Sequence, residues 1–443
     1  MLIRNATLAD GRTRDVRVRG ETIDVVGDDL TADDERVVDA TDKLLLPGAI
    51  DAHVHFRQPG YGHKETWASG SRSAAAGGVT TVVDQPNTDP PTVDGDAFDE
   101  KVDLAGESVV DFGINGGVTA DWDPDELLAR PLFALGEVFL ADSTGDMGID
   151  ADLFEDALVA ASERDVTVTV HAEDASLFDD SLHPERERDV GTGVGDPRAA
   201  SPEPDADDAD AWSAFRPAAA EIAAVERACE VAREHDATIH IAHTSTPEGI
   251  DIASDAGMTT EVTPHHLFLS RDDLDELGTH GRMNPPLRSE KRREQVYERV
   301  VDGTVDMIAT DHAPHTREEK DASIWDAPSG VPGVETMLPL LLAEARDGDL
   351  SYERVRDLVA ATPADVFDLP KKGRVAAGND ADLVLVDTDE TREISGTDLH
   401  SNCEWTPFEE FEGVFPEWTM VRGTVVYDSA EDTFWDQQGE NVR

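Results

Sequence analysis

Histidines and an aspartate follow the ends of short apolar segments at four places in the chain. The segments are "GAIDAHVH" with His53 and His55, "VTVTVHAE" with His171, "ATIHIAHTS" with His240 and His243, and "DMIATDHAP" with Asp311, His312 and His315. If the segments are parallel strands of one barrel, their carboxyl ends meet at the same mouth. Imidazole and carboxylate groups together are ligands that suit zinc or a similar divalent ion. The spacing therefore predicts a metal centre at that mouth.

A second metal ion would need a carboxylate shared between the two ions. The segment "LFALGEVFLADSTG" offers Glu137 and, five residues further on, Asp142. The alternative interpretation of Glu137 in so acidic a chain is a surface acid, but it lies inside an apolar strand, where an unpaired charge would be costly. We therefore take Glu137 as the first candidate for the shared ligand and Asp142 as the second.

The segments that carry these residues belong to an alternating pattern of strands and helices. Eight strand candidates begin at "LLLPGAIDAHVH" and end at "DMIATDHAP", and amphipathic stretches such as "DLFEDALVAASERD" lie between them. Strands that alternate with helices indicate parallel βα units, and eight such units indicate a (β/α)8 TIM barrel of the α/β class. We assign the barrel to residues 48–373.

Both ends of the chain are rich in β-strand patterns, whereas the middle is not. Residues 1–47 and 374–443 read as short alternating strands, and chain ends often lie close together. The expected arrangement is a small β-sandwich domain formed by both termini. One internal stretch, residues 186–217, is acidic and rich in glycine and proline, which is typical of a solvated loop.

The charge balance excludes several classes of partner. The 443 residues include 96 Asp and Glu against 37 Lys and Arg, giving a formal net charge of -59. This surface repels nucleic acid and anionic membranes, and its charge spread favours a protein that works in concentrated salt. Two cysteines and the absence of a signal peptide favour the cytoplasm. No apolar run reaches the ~20 residues that a membrane span requires.

Several longer motifs carry a family resemblance. The stretches "DAHVHFRQPG", "QPNTDPP", "HAED", "HIAHTS", "MNPPLR", "ATDHAPHTREEK" and "CEWTPFEEFEG" resemble the dihydroorotases of the amidohydrolase superfamily, and the resemblance covers nearly the whole chain. It implies a metal-dependent barrel flanked by a small β domain, in agreement with the pattern of strands. It also implies two zinc ions (Zn2+) per subunit.

The resemblance implies a role for each candidate ligand. His53, His55 and Asp311 would hold the more buried ion, and His171 and His243 the second, with Glu137 at the place where many relatives carry a carboxylated lysine. A glutamate supplies the same bridging carboxylate without carbon dioxide. Other relatives use an aspartate further along, for which Asp142 is the alternative. The motif "HIAHTS" matches its ligand position with His243, which leaves His240 as a strand residue.

The resemblance also implies a substrate with a carboxylate. Arg57, Asn87 and His315 would bind that carboxylate, since a guanidinium fork suits it. Asn284 and backbone groups of residues 329–335 would contact a pyrimidine ring. Both asparagines precede or adjoin prolines, so turn chemistry is an alternative reason for their presence.

The reaction implied is the reversible cyclisation of N-carbamoyl-L-aspartate to L-dihydroorotate in pyrimidine biosynthesis. A metal-held hydroxide would attack the ring carbonyl, and Asp311 would act as general acid and base. The alternatives are an allantoinase or other cyclic amidohydrolase, an inactive partner of aspartate transcarbamoylase, and a structural metal-binding protein. A homodimer and an association with aspartate transcarbamoylase are further expectations from the resemblance.

Overall fold

Five short strands open the chain and belong to one sheet. The computed structural model describes residues 1–140, 147–183, 209–435 and 437–443. The first strands are β1 (Leu2–Leu8), β2 (Thr13–Arg19), β3 (Thr22–Gly27), β4 (Val37–Asp39) and β5 (Leu44–Pro47). Strands β1, β2 and β3 pair in antiparallel order, and β4 and β5 run parallel to β1.

The next eight strands are parallel and form the barrel. They are β6 (Ala49–Val54), β7 (Val79–Asp84), β8 (Asp111–Ile114), β9 (Leu135–Phe139), β10 (Val168–His171), β11 (Ile239–Ile241), β12 (Thr259–Val262) and β13 (Met307–Ile308). Strands β6 to β8 and β9 to β13 form two hydrogen-bonded groups in chain order. Single parallel bridges, Gly116 with Leu135 and Val54 with His312, join the two groups at both edges and close the ring.

Helices connect these strands on the outside of the ring. They are α1 (Trp67–Ala76), α2 (Gly95–Ala105), α3 (Pro124–Leu127), α4 (Ala151–Ser162), α5 (Ala209–Phe215), α6 (Ala218–Glu234), α7 (Pro247–Ala256), α8 (Pro264–Phe268), α9 (Leu274–Leu277), α10 (Glu290–Asp302), α11 (Arg317–Lys320), α12 (Met337–Asp347), α13 (Tyr352–Arg356) and α14 (Thr362–Val366). Within the described ranges, none of these helices combines the length and apolarity needed to cross a bilayer.

The last strands return to the sheet of the first five. They are β14 (Leu383–Val386), β15 (Arg392–Glu393), β16 (Glu412–Gly413), β17 (Pro416–Val421), β18 (Thr424–Asp428) and β19 (Thr433–Phe434). The sheet runs β19-β18-β17-β14-β5-β1-β2-β3, with β4 paired to β1, while β15 and β16 form a separate pair. Strands from both chain ends are thus hydrogen-bonded into one sheet.

Alternation along β5 and β14 separates two apolar cores. Leu44 and Leu46 of β5 pack in the barrel's cluster, whereas Leu45 packs in the cluster of the terminal sheet. Val384 of β14 joins the barrel's cluster and Leu385 the other. Because side chains alternate between the two faces of a strand, this sheet buries one face against the barrel and the other in its own core.

Two features differ from the sequence-based expectation. The segment "LLLPGAIDAHVH" is not one strand, because β5 and β6 separate at Gly48, where a Cβ atom would lie 2.1 Å from the Thr80 hydroxyl. The predicted loop of residues 186–217 ends in helix α5, so that part of the prediction is wrong; residues 184–208 lie outside the described residues. The buried Trp212 explains the helix, since its indole N–H donates to the Met283 carbonyl at 3.1 Å.

Candidate active site

The carboxyl ends of the barrel strands bring the predicted ligand residues together. His53 belongs to the end of β6, Glu137 to β9 and His171 to β10. His55, His243 and Asp311 follow β6, β11 and β13. All six are at least nine-tenths buried. A charged or imidazole group at this depth needs a partner, because burying it alone is costly.

The first group of ligand atoms lies between β6 and the segment after β13. Nε2 of His55 is 2.9 Å from Oδ1 of Asp311, and Nε2 of His53 is 3.6 Å from the same oxygen. Oε2 of Glu137 lies 3.4 Å from Nε2 of His53. These donor atoms converge on a space that a single divalent ion could occupy.

The second group lies on the other side of Glu137. Its Oε1 is 2.8 Å from Nδ1 of His171 and 2.7 Å from Nε2 of His243, and the two nitrogens are 2.9 Å apart. The two oxygens of Glu137 therefore face different groups of histidines. This is the geometry that a bridging carboxylate requires. The other candidate, Asp142, lies outside the described residues.

The donor set fits divalent metal ions. It consists of imidazole nitrogens and carboxylate oxygens, which suit zinc and similar ions. Nε2 of His53 is buried and has no hydrogen-bond partner among residues 1–140, 147–183, 209–435 and 437–443. A buried nitrogen that faces three other ligand atoms without a hydrogen bond has the environment of a metal ligand. The roles of the individual residues stay predictions.

Acidic residues contact two of the candidate ligand histidines on the ring nitrogen that the other candidate ligands leave free or share least. Nδ1 of His53 is 2.6 Å from Oε1 of Glu261, whose other oxygen is 3.1 Å from Nε2 of His240. Nε2 of His171 is 3.0 Å from Glu173, which also forms an ion pair with Arg216. A carboxylate that accepts one ring N–H fixes the tautomer and leaves the other nitrogen for a metal. The sequence analysis missed Glu261 and Glu173.

Electrostatics keep the carboxylates of the site ionised. Burial alone would raise the pKa of Glu137, but His53 and His243 outweigh it and hold the pKa well below its usual range. Burial likewise opposes ionisation of Asp311, while the adjacent His55 lowers its pKa. Burial would lower the pKa of His171, but Glu137 and other carboxylates raise it to about 9.

Three residues of the site have left-handed backbone conformations. The φ angles are 64° at Arg57, 33° at His243 and 46° at Asp311. Such conformations cost non-glycine residues about 1–3 kcal/mol each and persist only where the surroundings enforce them. All three residues lie at the same barrel mouth. The fold therefore accepts unfavourable backbone conformations there in order to place these side chains.

The cavity at the mouth is lined by ligand and substrate candidates together. Its lining residues are His55, Arg57, Asn87, Glu137, Phe139, His171, Asn284, Asp311, Ala313, Ser329 and Gly330. The predicted carboxylate contact Asn87 places its Oδ1 2.7 Å from Nδ1 of His55, so it also orients that histidine. His315 stands behind Arg57, with Nε2 3.1 Å from the guanidinium.

The predicted ring-binding backbone is only partly accessible. Ser329 and Gly330 line the cavity, but the N–H groups of Gly333 and Val334 donate to Nδ1 of His312 at 3.1 and 3.3 Å. Asn284 lines the cavity and accepts a hydrogen bond from the Trp212 indole at 3.0 Å. The accessible backbone groups of residues 329–335 are thus those at the beginning of the segment.

Replacing Glu261 by glutamine should weaken metal binding without removing a ligand atom. We expect an affinity loss of about 10- to 100-fold, because an amide fixes the His53 tautomer less strongly than a carboxylate. Titration of metal-free protein with zinc in the presence of a competing chelator measures the affinity. Glu248→Gln, at a half-exposed position on α7, is the control. Unchanged affinity in Glu261→Gln would contradict the assigned role.

The chain is similar to known proteins over nearly its whole length. The model of the amidohydrolase family matches residues 44–426. A dihydroorotase of Halobacterium salinarum is 66% identical over 444 residues, covering 100% of this chain and 99% of its own. A dihydroorotase of Methanosarcina mazei is 41% identical, covering 89% and 86% of the two chains.

Solved structures with the same architecture include a hydantoinase and a dihydropyrimidinase. An L-hydantoinase (dihydropyrimidinase) from Arthrobacter aurescens superposes with a TM-score of 0.89 at 27% identity, covering 99% of this chain and 98% of its own. A dihydropyrimidinase from Brevibacillus agri gives a TM-score of 0.83 at 27% identity, covering 100% and 99%. The likeness extends over both the barrel and the terminal sheet.

Proposed function

The chain belongs to the amidohydrolase family and, within it, to the dihydroorotases, and we propose that its buried cavity interconverts L-dihydroorotate and N-carbamoyl-L-aspartate. The reaction hydrolyses a cyclic amide in one direction and closes the ring in the other. It requires a hydrolytic centre beside a binding group for the substrate's own carboxylate.

One observation carries this proposal: the candidate metal ligands and a buried arginine line the same cavity. Arg57 and Asp311 face that cavity from neighbouring loops, and both are less than one-tenth exposed. A buried guanidinium recognises a carboxylate strongly, because water does not compete for its donors. A ring without a carboxylate, as in allantoin or a hydantoin, would leave that charge without a partner.

We assign two zinc ions (Zn2+) per subunit to the two groups of ligand atoms. His53, His55 and Asp311 would hold one, and His171 and His243 the other, with one oxygen of Glu137 toward each. When bound, such ions lower the pKa of water and polarise a carbonyl, which is the chemistry that amide hydrolysis requires.

The chain's own residues position the substrate and move the proton. Asp311 is ionised and faces the cavity, so its carboxylate can accept a proton from the attacking water and deliver it to the leaving ring nitrogen. Arg57, Asn87 and His315 would hold the substrate carboxylate, His315 through its contact with Arg57, and Asn284 would contact the ring. In the cyclisation direction the same groups act in the reverse order.

Substrate discrimination tests the proposal directly. We expect wild-type protein with zinc in molar salt to open L-dihydroorotate at least about 10³-fold faster than dihydrouracil, which has the same ring without the carboxylate. In Arg57→Met this preference should fall by about 100-fold, because kcat/KM for dihydroorotate falls while kcat/KM for dihydrouracil does not. A 100-fold loss corresponds to about 2.7 kcal/mol, as expected for one lost charge-assisted contact. Loss of ultraviolet absorbance follows ring opening.

Allantoin serves as the discriminating control in the same assay. A wild-type enzyme that opens allantoin but not dihydroorotate would replace the proposal with an allantoinase. No turnover of either ring by zinc-loaded protein would favour an inactive partner of aspartate transcarbamoylase. Equal rates on dihydroorotate and dihydrouracil would remove the role assigned to Arg57.

We also propose that the enzyme is halophilic. Its net charge of -59 produces strong self-repulsion that salt must screen, and the Halobacterium salinarum dihydroorotase is 66% identical to it. Dilution from molar to about 0.1 M salt, where the Debye length is about 10 Å, should lower both the melting temperature and turnover. Thermal unfolding monitored across a salt series measures this, and a flat series would contradict it.

The remaining proposals concern organisation and location. We divide the chain into the barrel, residues 48–373, and the terminal β domain, residues 1–47 and 374–443, and we place the enzyme in the cytoplasm as a pyrimidine-biosynthetic protein. The family resemblance extends the proposal to a homodimer and to an association with aspartate transcarbamoylase. Light scattering of the pure enzyme and of its mixture with that transcarbamoylase in molar salt would detect each assembly.

A further inference from the structure

Three basic side chains form a row beside the substrate cavity. Nη2 of Arg57 is 3.1 Å from Nε2 of His315, and Nδ1 of His315 is 3.0 Å from Nζ of Lys64. The carbonyl oxygen of Ser329 lies 2.9 Å from the same Nε2. Lys64 is one of only seven lysines in this acidic chain, and its side chain is mostly buried. The mechanism described above does not use Lys64.

The contact between Lys64 and His315 selects one form of the imidazole. An ammonium group donates hydrogen bonds and cannot accept them. Burial, followed by Arg57, lowers the pKa of Lys64, and Glu319, 3.2 Å from Nζ, opposes that shift and supports the ammonium form. Nδ1 of His315 must then be the acceptor, and a neutral imidazole that accepts at Nδ1 carries its proton on Nε2. Burial, followed by Arg57 and Lys64, holds the pKa of His315 well below its usual range, which keeps the ring neutral.

This tautomer determines what Arg57 can bind. With its proton on Nε2, His315 donates to the Ser329 carbonyl and has no lone pair there for Arg57. Nε of Arg57 donates to the Pro314 carbonyl at 3.2 Å, which anchors the guanidinium. In the opposite tautomer, Nε2 would accept from Nη2 of Arg57, and the Ser329 carbonyl would lose its donor. In the opposite tautomer, Nη2 of Arg57 would therefore donate to His315 and would not be available to a substrate carboxylate.

We propose that Lys64 is a positioning residue for carboxylate recognition: its ammonium holds His315 in the Nε2–H tautomer and thereby reserves the Nη2 donor of Arg57 for the carboxylate of the substrate. The proposal rests on the proposed function, since it assumes that Arg57 binds a substrate carboxylate. It adds Lys64 to the specificity machinery, although Lys64 itself need not touch the substrate.

Three substitutions separate the hydrogen bond from the charge. Lys64→Met keeps most of the length of the side chain but has no donor, whereas Lys64→Arg keeps both donor and charge. Lys64→Gln keeps a donor without the charge. We expect Lys64→Met to raise KM for L-dihydroorotate about tenfold with kcat within threefold of wild type. Lys64→Arg and Lys64→Gln should recover KM to within about threefold. Zinc content and melting temperature should not change, which distinguishes positioning from a general loss of structure.

The tautomer can be observed without turnover. Long-range ¹H–¹⁵N correlation spectra of histidine-labelled enzyme, with the His315 resonances identified by their loss in His315→Asn, report which nitrogen carries the proton. We expect the Nε2–H form in wild type and the Nδ1–H form or a mixture in Lys64→Met. An unchanged tautomer in Lys64→Met, or a KM that Lys64→Gln fails to recover, would overturn the proposal. If wild type is silent on dihydroorotate, the proposed function fails, and the spectra still decide whether Lys64 sets the tautomer.

Discussion

Glu137→Gln should lose at least one metal ion and about 10³-fold or more of its turnover. The two oxygens of Glu137 each face a different group of histidines, at 3.4 Å from His53 on one side and 2.7 Å from His243 on the other. An amide offers only one oxygen as a ligand and no negative charge, so it cannot serve both groups. Losing the Lewis acid at one position removes several kcal/mol of transition-state stabilisation, and about 4 kcal/mol corresponds to 10³-fold.

Metal content and turnover should be measured on the same preparation, by elemental analysis and by ring opening of dihydroorotate. Glu173→Gln is a matched comparison, because Glu173 is as deeply buried but reaches the ligand atoms only through the outer nitrogen of His171, with Arg216 on its other side. By the argument used for Glu261, it should bind zinc about 10- to 100-fold more weakly, but at saturating zinc it should keep both ions and lose far less activity. If Glu137→Gln retains two ions and wild-type turnover, Glu137 is not the bridge, and Asp142 becomes the candidate.

The architecture was predictable because its signals are local. Each of the eight barrel strands has a short apolar run bounded by turns, and the (β/α)8 barrel of the α/β class with a sheet from both termini is confirmed. The convergence of the metal-site candidates follows from the barrel itself, since strand ends share one mouth. The charge of Glu137 inside an apolar strand gave the remaining signal, because a buried acid requires a partner.

The supporting residues were harder to predict, because they act across long separations in sequence. His53 and Glu261 are 208 positions apart, and only the closed barrel brings β6 and β12 to a common interior. Glu261 nevertheless carries the same signal as Glu137, a carboxylate within the apolar segment "TTEVTP". Applied to every strand, that criterion would have identified it.

Helix α5 shows where composition was misleading. The acidic stretch that contains it favoured a loop, but Trp212 is buried and makes contacts that a solvated loop would lack. Its ring packs under the Arg282 guanidinium at 3.7 Å, and its indole N–H donates to Asn284. These are long-range contacts, so the local pattern did not contain them.

Asp311→Asn should keep its metal ions but lose about 10³- to 10⁴-fold in kcat, at the upper end of what general acid–base catalysis contributes. The asparagine retains an oxygen toward His55, 2.9 Å away in the wild-type protein, so the site can still assemble. It cannot accept a proton, because an amide is a far weaker base than a carboxylate. Ring opening and ring closure should fall by the same factor, since one carboxylate moves the proton in both directions and the equilibrium is unchanged. Stopped assays from each side, with metal content measured in parallel, test this expectation.

The control lies at the other end of the same strand. Asp306 directly precedes β13, whereas Asp311 follows it at the barrel mouth. Oδ2 of Asp306 accepts a hydrogen bond from the Thr260 N–H at 2.8 Å. Asp306→Asn should therefore turn over at close to the wild-type rate. If Asp311→Asn binds both ions and remains within tenfold of wild type, the proton must pass through another group. If Asp311→Asn loses both ions instead, Asp311 is needed as a metal ligand. The metal loss alone would then account for the missing activity, and the experiment would contradict the expectation that the variant keeps its ions.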